Sequence, residues 1–488
     1  MTDKEWVSKE TLETFRQRGY DNADVLPKPK ERRNMNWVNY FTLWMGSIHN
    51  IPNYAAVGGF LGLAVAPYHI MLALVLSGLA VATFLAINGQ AGTKYGIPFA
   101  MHLRSAYGVT GAKIPGFLRG VVAAIAWFGL QNYTGSVALL ILISKIWPGF
   151  AQLGGGMKIL GITIPGLISF TLFFLVNVLI GLGGGEVLNK FTGILTPIIY
   201  IVFGASTFWA LKGAGGLGAI MAYQHPNPDP MNLFWVYLMV ISSVLAVWAA
   251  PGVSVADFTQ NAKSQRDQQR GQYLSLFVGY AIFALTSVII LVGGSIIIGQ
   301  PQSDVLDIIN SWDSLPAIGI ATSVFLLTTI STNATGNIIP AGYQLSALFP
   351  KQITYKKGIL IAGLISYVIM PWKMMAHPDS ILVFLDLIGV LLGPVAGVLV
   401  ADYYMVKHQQ IDLDALYMDP KTADRSNPYV GVRKAAYVST IVGLLVALLG
   451  KFIPALAKMS KISWLVGFAV AFACHTLISQ YLKKKHSN

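Results

Sequence analysis

Three groups of side chains in this sequence have types and spacings that could do chemistry, and all three lie in apolar surroundings. The first is Thr328-Thr329-Ile330-Ser331-Thr332-Asn333-Ala334-Thr335-Gly336-Asn337, with seven polar side chains in ten residues. Such a run is costly in hydrocarbon unless it faces water, an ion or a bound molecule. The Ser331 and Thr332 hydroxyls are hard neutral ligands, of the kind an alkali cation accepts in place of hydration water. Asn333 and Asn337 stand one helical turn apart, so both amides can face one cavity, each offering a donor pair and an acceptor. The competing reading is a polar zipper between helices. The second group is Trp127 and Gln131, four residues apart and therefore on one helix face. An indole with an amide one turn away can stack on a flat ring and hydrogen-bond its edge; the same pair can equally be packing and a tie between helices. The third is Asp386, in Val383-Phe384-Leu385-Asp386-Leu387-Ile388, an acid that must be paired or protonated. Three roles are open to it: carrier of a coupled proton, contact for a bound molecule, or partner of a basic group at a helix end.

Composition sets the kind of element that must position these groups. Hydrophobic residues make up 54% of the 488 and charged residues 11%, which excludes a soluble enzyme and predicts an all-α polytopic membrane protein. Hydropathy predicts about twelve spans, centred near residues 50, 78, 130, 173, 200, 245, 285, 328, 365, 392, 444 and 471. Two of them are interrupted. Residues 43–60 carry Pro52, which lacks a backbone donor and crowds the carbonyl one turn earlier, so the carbonyls around Gly46 to His49 should be freed. Residues 231–257 carry Val247-Trp248-Ala249-Ala250-Pro251-Gly252. Irregular backbone at membrane depth is tolerated only inside protein or along a cavity, and broken helices in corresponding positions of two halves point to a transporter site at the midplane. Spans one and six correspond if two five-helix repeats, about 37–212 and 231–405, form a ten-helix core. The rest divides into a tail (1–36), a loop (406–431), two appended spans (432–482) and a short end (483–488).

The net charge of +13 is spread over short connections rather than gathered on one face, which fits positive-inside topology better than nucleic-acid binding. Lys94, Arg104 and Lys113, then Lys263, Arg266 and Arg270, then Lys356 and Lys357, and finally Lys483 to Lys485 follow every second span, so both termini are expected in the cytoplasm. The connection with Asp304, Asp307 and Asp313 falls outside; Lys458 and Lys461 break the pattern. Cys474 is the one cysteine, so no disulfide framework or thiol metal site exists. A membrane enzyme would need a nucleophile with its base or a metal-ligand cluster, and neither HExxH nor GxSxG occurs. A channel is the other alternative; it would dissipate gradients without concentrating a solute.

The stretch Trp44-Met45-Gly46-Ser47-Ile48-His49-Asn50-Ile51-Pro52, the loop Asn88-Gly89-Gln90-Ala91-Gly92-Thr93-Lys94-Tyr95-Gly96, Trp127 to Gln131, Ser331 to Asn337, Leu392-Gly393-Pro394-Val395-Ala396-Gly397 and Ala401-Asp402-Tyr403-Tyr404 together resemble the nucleobase:cation symporter-1 family over about residues 35–480. Within it the chain is most similar to bacterial allantoin permeases. The resemblance implies a LeuT-type fold of two inverted five-helix repeats with two appended helices, in the cell membrane. It also implies import of a small planar amide heterocycle, allantoin or a related nucleobase or hydantoin, coupled to sodium or protons; a proton-coupled uracil or cytosine permease is the alternative, and a monomer is the default expectation whatever the substrate. Position by position, it implies that Trp127 and Trp248 stack on the two ring faces and that Gln131 and Asn337 bond its edges, with Asn333 and Asn50 as secondary contacts. A sodium ion would lie between spans one and eight, on the Gly46, His49 and Thr328 carbonyls and the Ser331 and Thr332 hydroxyls. Two departures stand out. Val247 replaces the glycine that precedes this Trp in the hydantoin transporter, which would narrow the pocket, and Asp386 replaces a neutral residue, which keeps proton coupling open.

Overall fold

The computed structural model describes residues 7–20, 25–226, 231–349, 352–375, 380–419, 422–424 and 426–487, without the side chains at 184–194, 196, 486 and 487. The tails and the 406–431 loop are thus described in part. Among the described residues, eight helices are long and apolar enough to cross a membrane: Pro67–Tyr95, Lys113–Ile146, Ile164–Gly183, Gln265–Ile298, Leu315–Leu348, Ser380–Val406, Lys434–Phe452 and Ser463–Lys485. The other expected spans are broken or short: Trp37–Ile48 with Ile51–Leu61, Pro197–Gly213, Leu233–Val247 with Ala249–Val253, and Tyr355–Val368. The count of twelve depends on including these. A two-residue antiparallel pair, Lys158–Ile159 with Ile162–Thr163, closes the turn before span four.

Both interruptions have a local cause. Pro52 has no N–H for the Ile48 carbonyl one turn back. Helix Trp37–Ile48 ends there, and two asparagine amides take over: Asn53 Nδ2 donates to the Ile48 carbonyl at 2.7 Å and Asn50 Nδ2 to the Ser47 carbonyl at 2.8 Å. Asn50 also starts the second half, its side-chain oxygen accepting from the Asn53 N–H at 3.1 Å. Pro251 likewise withholds a donor from Val247, and helix Leu233–Val247 ends beside it; Trp248 sits between the halves at φ −90° and ψ 1°.

The broken spans pack with spans two and seven, while span eight packs on spans three and four and also touches Trp37–Ile48. Spans eleven and twelve are built onto span ten. A Cβ on Gly397 would lie 2.3 Å from the Phe468 carbonyl, so these backbones meet in direct contact through small residues. Asp402, at the end of span ten, fixes the join: it is ion-paired to Lys407 and to Arg433 at 3.0 Å, and its Oδ1 lies 3.2 Å from His475 Nε2 of span twelve.

The N-terminal segment runs beneath the helices. Lys28 N–H donates to the Gly96 carbonyl after span two, Met35 pairs with Asn261 and Lys263 between spans six and seven, and Phe15 stacks on Tyr417 beyond span ten at 4.5 Å. Connections that follow spans two, six and ten therefore share one face with the N-terminal segment, as the charge pattern predicts. On the opposite face the connection after span seven presses on span one: a Cβ on Gly58 would lie 2.0 Å from the Ser303 carbonyl.

Candidate substrate and cation site

Where the two interruptions meet spans three and eight, a narrow cavity of about 40 Å³ opens between Trp44, Ser47, Asn50, Asn53, Trp127, Gln131, Val247, Trp248, Pro251, Thr332, Thr335, Gly336 and Asn337. Five of the six expected substrate contacts line it: Trp127, Gln131, Trp248, Asn337 and Asn50. Trp127 is 3% exposed and its ring meets Phe384 of span ten edge-on at 4.7 Å. Its indole Nε1 and the Gln131 Oε1 are buried without a hydrogen-bond partner. A protein rarely leaves such groups unpaired, because each costs about 1–3 kcal/mol of desolvation. Both belong to side chains that line the cavity, so a small turn of either ring or amide would bring a donor or an acceptor to a guest. Trp248 is held instead, its Nε1 donating to the Tyr280 hydroxyl at 2.6 Å while its ring meets Trp44 edge-on at 5.4 Å.

Asn333 behaves differently from its partner. The turn Ala334–Ile338 is π-helical, an extra-residue turn that shifts the register between the two amides. Asn337 reaches the cavity; Asn333 is turned towards spans three and four, where its Nδ2 donates to the Phe128 carbonyl at 3.3 Å and to Asn177 at 3.4 Å. Its Oδ1 accepts from Asn337 Nδ2 at 2.9 Å, so it orients the lining amide from behind. Asn50 lines the cavity with both ends already engaged by span one. Asn53, to which sequence reasoning gave no role, has a buried Oδ1 with no partner, and Trp44, Ser47 and Thr335 were also missed.

The proposed cation ligands are partly consistent with that role. Ser331 Oγ is fully buried with no partner, an orphaned acceptor on the helix that touches span one. Thr332 Oγ1 donates to the Thr328 carbonyl at 2.9 Å, which leaves lone pairs on both oxygens. The Gly46 and His49 carbonyls lie outside the asparagine network that takes those of Ser47 and Ile48. The His49 ring is packed away, stacked on Phe203 at 4.6 Å with Nδ1 3.3 Å from the Tyr54 hydroxyl.

Asp386 is remote from this cavity. It lines a larger one, about 850 Å³, between Ile51–Leu61, Leu233–Val247 and span ten, with Ser303, Asp304 and Ser463 among its walls. Lys451 of span eleven pairs with Asp386 Oδ2 at 2.9 Å, while Oδ1 is buried without a partner. Asp304, in the connection after span seven, caps helix Val305–Asn310 through the Leu306 N–H at 2.9 Å. Burial, reinforced by Asp307, pushes its carboxyl up to about 6.

Two interrupted helices that meet at a buried polar cavity inside an apolar helical bundle define a membrane transport protein. Residues 27–467 match the model of a family described as permease for cytosine/purines, uracil, thiamine, allantoin, and the chain belongs to that family, the nucleobase:cation symporter-1 family. It is a permease and not an enzyme. It is 53% identical to a putative allantoin permease of Escherichia coli over 96% of each chain. To the allantoin permease of Bacillus subtilis it is 36% identical, over 94% of this chain and 92% of that one. The solved structure of Mhp1, a nucleobase-cation-symport-1 family transporter in a closed conformation with bromovinylhydantoin bound, superposes with a TM-score of 0.76 at 21% identity, covering 95% of this chain and 96% of that one. MhsT in complex with L-phenylalanine superposes at 0.52. The fold is the LeuT type, as the resemblance implied.

Proposed function

We propose that this permease is a cation symporter that imports allantoin or a closely related flat amide heterocycle by alternating access, as a monomer in the cell membrane with both termini in the cytoplasm. The observation that carries the reading is the cavity walled by tryptophans and amides where the interrupted helices meet, two of whose lining side chains, Trp127 and Gln131, each keep a polar atom without a partner. A planar ring rich in N–H and C=O groups is the guest that aromatic faces and amides of this kind would recognise, once the narrow cavity widens to admit it. The names of the two bacterial relatives support allantoin as the first candidate.

Sodium is the proposed coupling ion, held between spans one and eight by the Gly46, His49 and Thr328 carbonyls and the Ser331 and Thr332 hydroxyls. The ion would supply a positive charge that ties the end of helix Trp37–Ile48 to span eight. Ser331's buried, partnerless hydroxyl supports this choice over a proton on Asp386, whose Lys451 partner supplies the neutralisation a proton would otherwise give. Residues 37–405 form the proposed transporting core, with the large cavity beside Asp304 as the entry from outside. Asn333 then acts from behind Asn337 rather than on the substrate.

Uptake of labelled allantoin into proteoliposomes under imposed sodium or proton gradients tests the reading. Concentrative uptake driven by sodium is expected, with competition by hydantoin, uracil and cytosine ranking the substrates. Uptake driven by protons alone would move coupling to Asp386, and uracil or cytosine transported in place of allantoin would overturn the substrate.

A further inference from the structure

Arg119 has no part in the site described above, yet its guanidinium is fully buried inside an apolar bundle. Among the described residues no carboxylate lies within ion-pair distance of it. It sits in the π-helical turn Leu118–Ala123 of span three, two turns before Trp127 and towards the face where the N-terminal segment lies. Its fork reaches two other helices. Nη2 donates to the Gly336 carbonyl at 3.1 Å, inside the turn of span eight that carries Asn337. Nε donates to the Ser254 hydroxyl at 3.1 Å, just past the broken part of span six. Nη1 is buried without a partner.

The two bonds differ in what they join. Spans three and eight are tightly packed beside Arg119, where a Cβ on Gly120 would lie 2.2 Å from Gln344 Cβ. The bond to Gly336 therefore stays within one body, and it steadies a carbonyl in the turn that aims Asn337 into the cavity. Ser254 belongs to the other side. The end of span six is tied to span two, where Asn88 Nδ2 donates to the Gly252 and Val253 carbonyls at 2.7 and 3.1 Å. Between the two sides, Pro251 of span six lies 3.9 Å from where a Cβ on Gly336 would stand. A rigid rotation of spans one, two, six and seven away from spans three and eight must break the Ser254 bond and can keep the Gly336 bond.

We propose that Arg119 is a positioning residue that latches the N-terminal face of the cavity shut through Ser254 while holding the Asn337 turn through Gly336. The proposal rests on the alternating-access reading. The guanidinium's two hydrogen-bond acceptors are neutral, and the Asp257 carboxylate, three residues beyond Ser254 on the same side of the seam, adds an attraction at longer range than an ion pair.

A reporter at the seam tests it. Gly336→Cys in a Cys474→Ala background places a thiol where nothing nearer than Pro251 obstructs it. Ser254→Ala removes the acceptor of the crossing bond and leaves Arg119 in place. Labelling by a membrane-impermeant maleimide applied from the N-terminal face should rise about tenfold, the population shift expected for one charge-assisted hydrogen bond. Ser287→Ala is the control, since that hydroxyl bonds only its own helix, at the Phe283 carbonyl. Unchanged labelling in Ser254→Ala, or an equal rise in Ser287→Ala, overturns the latch. Labelling needs no substrate, so absence of allantoin uptake would refute the choice of substrate and leave the latch to be judged by labelling alone.

Discussion

Gln131→Leu separates a binding residue from a structural one, because the two readings demand opposite changes in stability. The side chain is 4% exposed and its Oε1 is buried with no partner. A leucine of similar size removes that unpaired carbonyl, and with it a desolvation cost of about 1–3 kcal/mol. The unliganded protein should thus be as stable as before or more so. The same change deletes a donor and an acceptor from the cavity wall. Two neutral hydrogen bonds at about 0.5–1.5 kcal/mol each amount to about 1–3 kcal/mol, or roughly a 5- to 150-fold rise in the allantoin dissociation constant. The assay is paired: apparent melting temperature in detergent without ligand, and binding of labelled allantoin to the same preparation. A lower melting temperature with unchanged affinity would refute the reasoning, since it would mean that Gln131 ties helices together.

Three further outcomes are expected. Trp127→Ala should abolish uptake while normal amounts of protein reach the membrane, and Trp127→Phe should retain a fraction of uptake, because a smaller ring still covers part of the substrate; initial rates of labelled uptake against surface expression check this. Ser331→Ala should raise the sodium concentration for half-maximal uptake at least tenfold and remove the thermal stabilisation that sodium gives the native protein, read by melting with sodium against choline. Asp304 titrates near 6 when folded and about two units lower when unfolded, so the folded protein binds more protons between those values and stability falls as pH rises from about 4 through 6. Asp304→Asn keeps the helix cap and should flatten that slope in melting curves recorded from pH 4 to 7.

The interruptions were legible in the sequence because their cause is a backbone donor that proline lacks, and that effect acts one turn upstream wherever the residue sits. Pro52 and Pro251 thereby located the ends of helices at Ile48 and Val247. Trp127 and Gln131 were legible for a related reason: span three runs as regular helix from Ala124 to Ile146, so four-residue spacing kept them on one face. The same spacing misled at Asn333 and Asn337, since the π turn between them spends an extra residue and has no signal in the amino-acid types. Trp44, Ser47 and Asn53 were missed because a break re-aims each half-helix, and the angle is set by packing across the bundle. Asp386 shows the limit for ionisable groups. Its partner Lys451 belongs to an appended span, and nothing local announces a contact of that kind.

The N-terminal segment gives the chain a clock. Tyr20 hydrogen-bonds the Met418 carbonyl across 398 residues of sequence, and the Tyr417 hydroxyl reaches back to Val25. At roughly 5–20 residues per second, the ribosome makes that partner roughly 20–80 s after the segment itself has emerged. Until then Phe15 and Tyr20, both buried in the finished protein, have only the earlier part of their cluster, with Tyr95, Ile97 and Met101, and lack the Tyr417 side that completes it. Their docking is therefore among the last events of assembly, and it depends on ten spans having been threaded in the correct order. Protection of this segment from protease would mark a completed molecule, and its cleavage would mark one stalled during biogenesis.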